Sequence, residues 1–251
     1  MCELYTYILL GLMVGYIGGY AGIGGGPFLV SFLFLFCGMS QLAAQGNVLT
    51  MMLGPMSLLG VISLHRYVKT MWIQITVGVI AYCVFSYLGA ELAFFIGETN
   101  MRIYFAIILF VIAAIQLWPF LTKKEKRTKN LKETISIPWV FVLGSITGVA
   151  GGWFGIGAGV LMVPVLITIF KLKKEYARAL SLAILVPPVS YGAYIKYNIE
   201  LDIDWNLVLI LFFSYFIANY FGAKAGTKSS NTFFKIIYSI ILLSIGLVYL
   251  I

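Results

Sequence analysis

The stretch GGYAGIGGGPFLV runs from Gly18 to Val30, and six of its thirteen residues are glycine. A second stretch, GGWFGIGAGVLMV from Gly151 to Val163, matches it at seven of thirteen positions. Both stretches belong to long apolar parts of the chain. Each glycine costs a helix interior about 1 kcal/mol relative to alanine, so a cluster of this density predicts that a helix is interrupted there.

The first cluster also indicates where the interruption begins and ends. Gly24, Gly25 and Gly26 stand in a row before Pro27, whereas close packing of helices needs only one glycine per turn. Proline suits the first turn of a helix, where its missing N–H costs nothing. We therefore expect one helix to end near Gly22 and another to begin near Pro27. The backbone between them must face protein or a water-filled cavity, because lipid offers its N–H groups no acceptor.

The composition is that of a membrane protein. The chain has 251 residues, of which 61% are hydrophobic and 10% are charged, whereas a soluble domain has about 25% charged residues. We expect an all-α, polytopic protein that crosses the cell membrane several times. Its net charge of +8 comes from basic residues in short loops, which is the usual signal of membrane topology and does not indicate nucleic-acid binding.

The chain is one repeat used twice. A single constant offset aligns its two halves without a gap, so that Gly24 falls on Gly157 and Pro55 falls on Pro188. Adding 133 to a residue number in the first half gives the matching position in the second half. Two residues related in this way are called repeat equivalents below.

The repeat predicts three parts of the chain. They are a first repeat (1–121), a basic cytoplasmic linker (122–137) and a second repeat (138–251). Each repeat is expected to hold a glycine-broken pair of short helices followed by three transmembrane helices. Those three are predicted at about 46–64, 71–96 and 101–121, and again at 179–195, 205–223 and 232–251.

The charges predict that the two repeats are inverted relative to each other. With the linker in the cytoplasm and each glycine-broken pair returning to its own side, every basic residue except Arg102 and Lys196 lies inside. Each broken pair is either a re-entrant hairpin or two short spans. Repeats related by an axis in the membrane plane are typical of secondary transporters.

A helix that begins at a break presents its N–H groups and the positive end of its dipole, which favours an anion. The candidate substrate-binding residues are the break glycines and the polar residues that follow them: Gly22, Gly24, Gly25, Gly26, Asn47, Ser57, Gly155, Gly157, Gly159, Arg178, Ser181 and Ser190. Arg178 either attracts an anion from the cytoplasm or only marks the inner face. Isolated serines in membrane helices usually bond to their own backbone. Glu91 is either a proton-coupling carboxylate or an interfacial residue.

Helix packing is the competing explanation for part of the glycine pattern. Four series of glycines recur every four residues, a spacing that lets membrane helices approach closely. They are Gly11, Gly15 and Gly19; Gly18, Gly22 and Gly26; Gly144, Gly148 and Gly152; and Gly151, Gly155 and Gly159.

Signatures of catalysis and of cofactor binding are missing from the sequence. HExxH and the Walker pattern GxxxxGK[ST] do not occur, and the glycine cluster does not fit GxGxxG. The chain has a single histidine, His65, and its three cysteines form no CxxC pair. We therefore expect no enzymatic activity, no metal site and no cofactor, and a gradient as the energy source.

Several features resemble the sulfite exporter TauE/SafE family of membrane transporters. They are the GIGGG run at 22–26, its weaker copy in the second half, and IDW from Ile203 to Trp205. The resemblance implies a cell-membrane carrier that moves small anions, such as sulfite or organosulfonates, outward. Members tend to carry a Thr-Ser pair after the first break, where this chain has Asn47-Val48 and, in the second half, Leu180-Ser181.

The resulting hypothesis is a secondary transporter with alternating access, in which a small anion binds between the two breaks and protons are a candidate coupling ion. Two alternatives remain. A passive anion channel would give flux without saturation or coupling. A non-transporting scaffold would use the glycines for packing alone, so that changing Gly24 or Gly157 to alanine would alter stability and not transport.

Overall fold

The computed structural model describes residues 3–21, 24–121, 131–226 and 231–250. Its described part is helical, with thirteen α-helices. They are α1 (Leu4–Ala21), α2 (Gly26–Cys37), α3 (Gln41–Met51), α4 (Leu58–Ile62), α5 (His65–Val68), α6 (Trp72–Ile96), α7 (Glu98–Leu121), α8 (Ile137–Phe154), α9 (Gly159–Thr168), α10 (Lys174–Ile184), α11 (Tyr191–Glu200), α12 (Trp205–Gly226) and α13 (Asn231–Val248).

Four stretches of helix in the described ranges are long and apolar enough to cross a membrane, namely 65–96, 100–117, 137–154 and 205–226. The helices also keep many large apolar side chains on their outer surface; Phe95 is 88% exposed and Ile199 is 73% exposed. A soluble protein rarely exposes contiguous apolar surface on this scale, whereas lipid covers it at no cost. The chain is therefore a multi-pass membrane protein, as its composition predicts.

The helices recur at the offset found in the sequence. Six pairs of helices begin at repeat-equivalent residues: α1 and α8, α2 and α9, α3 and α10, α4 and α11, α6 and α12, and α7 and α13. Residues 122–130 of the predicted linker lie outside the described residues.

The first of the three transmembrane helices predicted for each repeat is itself interrupted. The predicted span 46–64 is divided between α3 and α4, with turns around Pro55, and 179–195 is divided between α10 and α11, with bends and turns around Pro187 and Pro188. Proline lacks the N–H that would continue the helix, and its ring clashes with the preceding turn. Each repeat thus contains a second discontinuity after its glycine break.

Two of the four-residue glycine series lie where long helices from different repeats pack together. A Cβ atom at Gly148 of α8 would stand 2.7 Å from the carbonyl oxygen of Tyr82 in α6. A Cβ at its repeat equivalent, Gly15 of α1, would stand 2.5 Å from the carbonyl oxygen of Tyr215 in α12. Only glycine allows the backbones to come this close. Tyr82 and Tyr215 are repeat equivalents as well, so the same contact occurs once in each half of the protein.

The described end of the linker is attached to the start of α10. The Lys132 amide donates to the Lys171 carbonyl at 2.9 Å, and the Lys173 amide donates to the Lys132 carbonyl at 2.9 Å. The Lys173 ammonium also donates to Glu133, and this hydrogen bond, followed by one from Tyr176, holds the pKa of the Glu133 carboxyl below its usual value. These contacts place the start of α10 beside the basic linker.

Candidate substrate site

The first glycine break has the predicted form. α1 ends at Ala21, and α2 begins at Gly26 with Pro27 in its first turn. Gly24 has φ +75°, a left-handed conformation that glycine adopts without the steric cost paid by other residues. A Cβ atom at Gly25 would stand 3.2 Å from the ring of Tyr215 in the second repeat. Gly22, the first residue of the predicted site, lies outside the described residues.

The second break repeats this geometry. α8 ends at Phe154 and α9 begins at Gly159, with Gly155 at φ +67° and Gly157 at φ +73°. Gly157 is the repeat equivalent of Gly24, so a left-handed glycine recurs at the same place in both halves. Pro164 is inside α9 and not at its start, which leaves the second break without the proline that opens α2.

The two breaks lie against each other. A Cβ atom at Gly26 would stand 2.6 Å from the Gly155 carbonyl oxygen and 2.7 Å from the carbonyl carbon of Ile156. The start of α2 therefore touches the backbone of the second break directly. Predicted substrate residues from the two halves of the chain thus meet at one place.

Apolar side chains from the opposite repeat face the left-handed glycines. A Cβ at Gly24 would meet only the Leu185 Cδ1 atom, at 3.8 Å, and a Cβ at Gly157 would meet the Met52 Cε atom at 3.1 Å. Met52 and Leu185 are themselves repeat equivalents. An apolar wall with a few placed polar groups is the usual composition of a small-molecule site.

Arg178 is the one charged residue among the buried side chains of the described part of the chain, with 1% exposure. Its Nη2 atom donates to the Gly19 carbonyl oxygen at 2.9 Å, in the last turn of α1. Its Nε has no hydrogen-bond acceptor, and no carboxylate of the described residues forms an ion pair with it. Such burial is not expected of a residue that only marks the inner face.

Ser181 follows Arg178 by three residues on α10, so the two side chains lie on neighbouring parts of one helix face. The Ser181 hydroxyl is fully buried and has no hydrogen-bond partner. A buried hydroxyl without a partner loses its hydration and gains nothing in return. The Arg178 Nε and the Ser181 hydroxyl therefore offer a cationic donor and a neutral donor that have no partner in the protein.

The other three polar candidates are engaged by backbone groups. The Asn47 amide donates to the Ala43 carbonyl oxygen at 2.9 Å and accepts from the Asp204 N–H at 3.2 Å. Ser57 donates to the Leu182 carbonyl oxygen at 2.8 Å, and Ser190 donates to the Leu49 carbonyl oxygen at 2.8 Å. These three side chains hold segments together in this conformation.

The serines differ from the expectation for isolated serines in membrane helices. Each bonds to the opposite repeat and not to its own helix. The acceptor carbonyls lie in the last turns of α10 and α3, where the regular helical hydrogen bonds end, and the Leu182 carbonyl also accepts from the Leu185 N–H at 3.2 Å. Leu49 and Leu182 are repeat equivalents, as are Ser57 and Ser190, so the two hydrogen bonds are equivalent.

We expect Ser57→Ala and Ser190→Ala each to lower the free energy of unfolding by about 1 kcal/mol, the usual worth of one buried hydrogen bond. The two losses should be alike because the bonds are equivalent. Unfolding of the purified protein in detergent measures both, with Ser145→Ala as the control, since Ser145 bonds only to its own helix. A loss in one variant and none in the other would contradict the equivalence.

Glu91 is not part of this site. It pairs with Lys196 at 3.4 Å, and its side chain is 43% exposed. Gln45 is the repeat equivalent of Arg178, but it is not among the predicted site residues. In the structure it is fully buried, and its Cα lies 3.3 Å from the position of a Cβ at Gly155. The repeat offset is the signal that could have placed it beside the second break.

Apolar helices with two touching breaks and a buried cation define a polytopic helical membrane transporter. The family model described as "Sulfite exporter TauE/SafE" matches residues 7–249. The chain therefore belongs to the TauE/SafE sulfite exporter family, which is a family of membrane transporters and not an enzyme class. As a membrane transporter, the protein lies in a lipid bilayer and acts on a small-molecule substrate.

Similar curated proteins carry the same general description. "Probable membrane transporter protein YdhB" of Bacillus subtilis is 28% identical over 233 residues, which cover 92% of this chain and 91% of that protein. "Probable membrane transporter protein MJ0441" of Methanocaldococcus jannaschii is 29% identical over 261 residues, covering 96% and 92%. "Probable membrane transporter protein YunE" of Bacillus subtilis is 25% identical over 266 residues, covering 95% and 94%.

Proposed function

We propose that this protein is a secondary transporter that moves a small sulfur-containing anion, sulfite or an organosulfonate, outward by alternating access. One observation carries the proposal. Two glycine breaks meet backbone to backbone at Gly26 and Gly155, and a buried guanidinium without a carboxylate partner lies beside the last turn of the first broken helix.

The chemistry of these groups favours an anion. α2 begins where the breaks touch, so the positive end of its dipole points into the contact region. Arg178 adds a full positive charge in a place with little water, where a charge without a directly bonded carboxylate is costly. A bound oxyanion would offset that cost and would accept hydrogen bonds from Arg178 and Ser181. Sulfite and sulfonates supply both the charge and three acceptor oxygens.

Inverted repeats are part of the proposal, and the direction of helix packing supports them. α11 runs parallel to α6, since Gly192 lies at Cys83 and Lys196 lies further along at Glu91. α11 runs antiparallel to α3, since Ser190 lies at Leu49 and Tyr197 lies at Gly46. The segment from Asn47 to Gly54 follows α12 in the same direction, since Asn47 lies at Asp204 and Gly54 lies at Phe212. Equivalent helices α6 and α12 then run in opposite directions, as inverted halves require.

The proposal is tested by flux of ³⁵S-sulfite, a labelled organosulfonate and labelled sulfate into proteoliposomes, with and without a pH gradient. We expect saturable flux for at least one of the sulfur anions, competition between sulfite and the organosulfonate, and acceleration by the gradient. Flux equal to that of protein-free vesicles for every anion would overturn the proposal.

The same measurement separates the two alternatives. A passive channel gives flux that neither saturates nor responds to a second gradient. A scaffold gives no flux, and Gly24→Ala would then change stability alone. Gly24 suits this test because a Cβ there has room, with its nearest neighbour 3.8 Å away, so any effect comes from the left-handed backbone.

A further inference from the structure

Two buried glutamines on α3 are held in the same unusual way. The Tyr197 hydroxyl donates to Gln45 Oε1 at 2.9 Å, and the Tyr249 hydroxyl donates to Gln41 Oε1 at 2.9 Å. Both glutamines are fully buried, and both Nε2 groups lack any hydrogen-bond partner. Each tyrosine thus fixes an amide so that its two N–H donors remain unused.

The two glutamines form a row on one face of α3, because residues four apart in a helix are neighbours. An unpartnered buried amide donor is costly, and each such group in a protein calls for an explanation. Two adjacent donors with no acceptor between them suit a ligand that only accepts hydrogen bonds. An oxyanion is a ligand of this kind.

The repeat relates this row to the cationic face of α10. The repeat equivalents of Gln41 and Gln45 are Lys174 and Arg178. Gln45 and Arg178 share a further property, since each is buried beside the end of the first broken helix of the opposite repeat, at Gly155 and at Gly19. The same position therefore holds a neutral donor in one half and a charged donor in the other.

Gln45 and Arg178 lie towards opposite ends of the molecule. Glu98 begins α7 one turn before Arg102, which is predicted to lie outside, and it accepts from the backbone N–H groups of Gln41 and Leu42. This places the start of α3 at the outer side. Lys173, the residue before α10, bonds to Glu133 of the predicted cytoplasmic linker, so α10 starts at the inner side. Glu98 already occupies the N-terminus of α3, so an anion would be held by side-chain amides deeper in the helix, with Gln45 next to the break.

We propose that Gln45, extended by Gln41, forms an outer half-site for the transported oxyanion, equivalent to the inner half-site of Arg178 and Ser181. This inference rests on the proposed function. The inner half-site attracts the anion by charge, whereas the outer half-site holds it by neutral hydrogen bonds and so binds it more weakly. Weaker binding outside makes release easier on the side to which the substrate is exported.

The test measures half-saturating ³⁵S-sulfite from each face, using whole cells for the outer face and inside-out vesicles for the cytoplasmic face. Gln45→Glu keeps the shape and the oxygen that accepts from Tyr197, but replaces the donor with a negative charge. We expect the outer value to rise about tenfold or more, and the cytoplasmic value to change less than about twofold. Gln45→Met, which has no donor or charge, should shift the outer value in the same direction by a smaller factor.

Gln74→Glu is the matched control, because Gln74 lies at the start of α6 and donates to the Ile135 carbonyl oxygen, away from the breaks. It should leave both values unchanged. Folded Gln45 variants that shift both faces equally, or neither face, would overturn the outer half-site. Absence of saturable exchange of both sulfite and the organosulfonate by the wild-type protein would overturn the proposed function itself.

Discussion

Gly152→Ala is expected to remove most of the folded protein. The new Cβ would stand 1.9 Å from the carbonyl oxygen of Ser86 and 2.8 Å from its carbonyl carbon. These are backbone atoms of α6, so no side-chain rotation can relieve the clash and the two helices must separate. Overpacking usually costs about 1–3 kcal/mol, and a backbone clash of this depth belongs at the upper end or beyond. Yield of monodisperse protein and the unfolding temperature in detergent measure the loss.

The repeat supplies a second variant and the chain supplies a control. Gly19→Ala should be about as damaging, since its Cβ would stand 2.2 Å from the carbonyl oxygen of Asn219 in α12. Gly38→Ala should be much milder, because nothing lies within 4 Å of its Cβ. Its cost is the left-handed backbone alone, about 1–2 kcal/mol. A Gly152→Ala protein as stable as Gly38→Ala would contradict the close contact of α6 and α8.

Local chemistry explains why the first break could be predicted to within about one residue. Three consecutive glycines weaken a helix and Pro27 favours a new start, and both effects depend only on neighbours in sequence. The observed ends, Ala21 and Gly26, match the expected ends near Gly22 and Pro27. Pro55 and Pro188 gave a similar signal. The residues that flank these prolines stay apolar, however, and therefore predict a continuous span.

Partners across the repeats could not be predicted in this way. The spacing of Gly148 and Gly152 shows which face of α8 is smooth, but not that α6 covers it. The bonds of Ser57 and Ser190 depend on where α10 and α3 end, which is a property of the assembled fold. The contact between the two glycine breaks arises likewise from tertiary packing between distant segments.

The role of Arg178 stayed open at the level of sequence for the same reason. Arg178 is the last residue of KLKKEYAR, a segment with the composition of a cytoplasmic loop, and most arginines are exposed. Only the packing of α10 against the end of α1 buries it. Burial of a cation is expensive unless a partner compensates it, so the structure changes Arg178 from a topology marker into the strongest candidate for substrate contact.

Arg178→Gln is therefore expected to lower sulfite flux at subsaturating substrate about 10- to 100-fold, which corresponds to about 1.4–2.8 kcal/mol of lost interaction. The amide keeps a donor, as Gln45 does at the equivalent position, but the positive charge is gone. Hydrogen bonds to charged groups contribute roughly 1.5–3 kcal/mol, which sets the size of the effect. Arg178→Lys keeps the charge and should retain more flux than Arg178→Gln.

A purely structural Arg178 gives a different result. Its bond to the Gly19 carbonyl oxygen stabilises the C-terminal end of α1, where a cation interacts favourably with the helix dipole. If that were its whole role, Arg178→Gln would lower the unfolding temperature, and the folded fraction would transport sulfite with unchanged half-saturation. If Arg178 binds the anion, half-saturation on the cytoplasmic face rises, and sulfite no longer raises the unfolding temperature as it does for the wild-type protein.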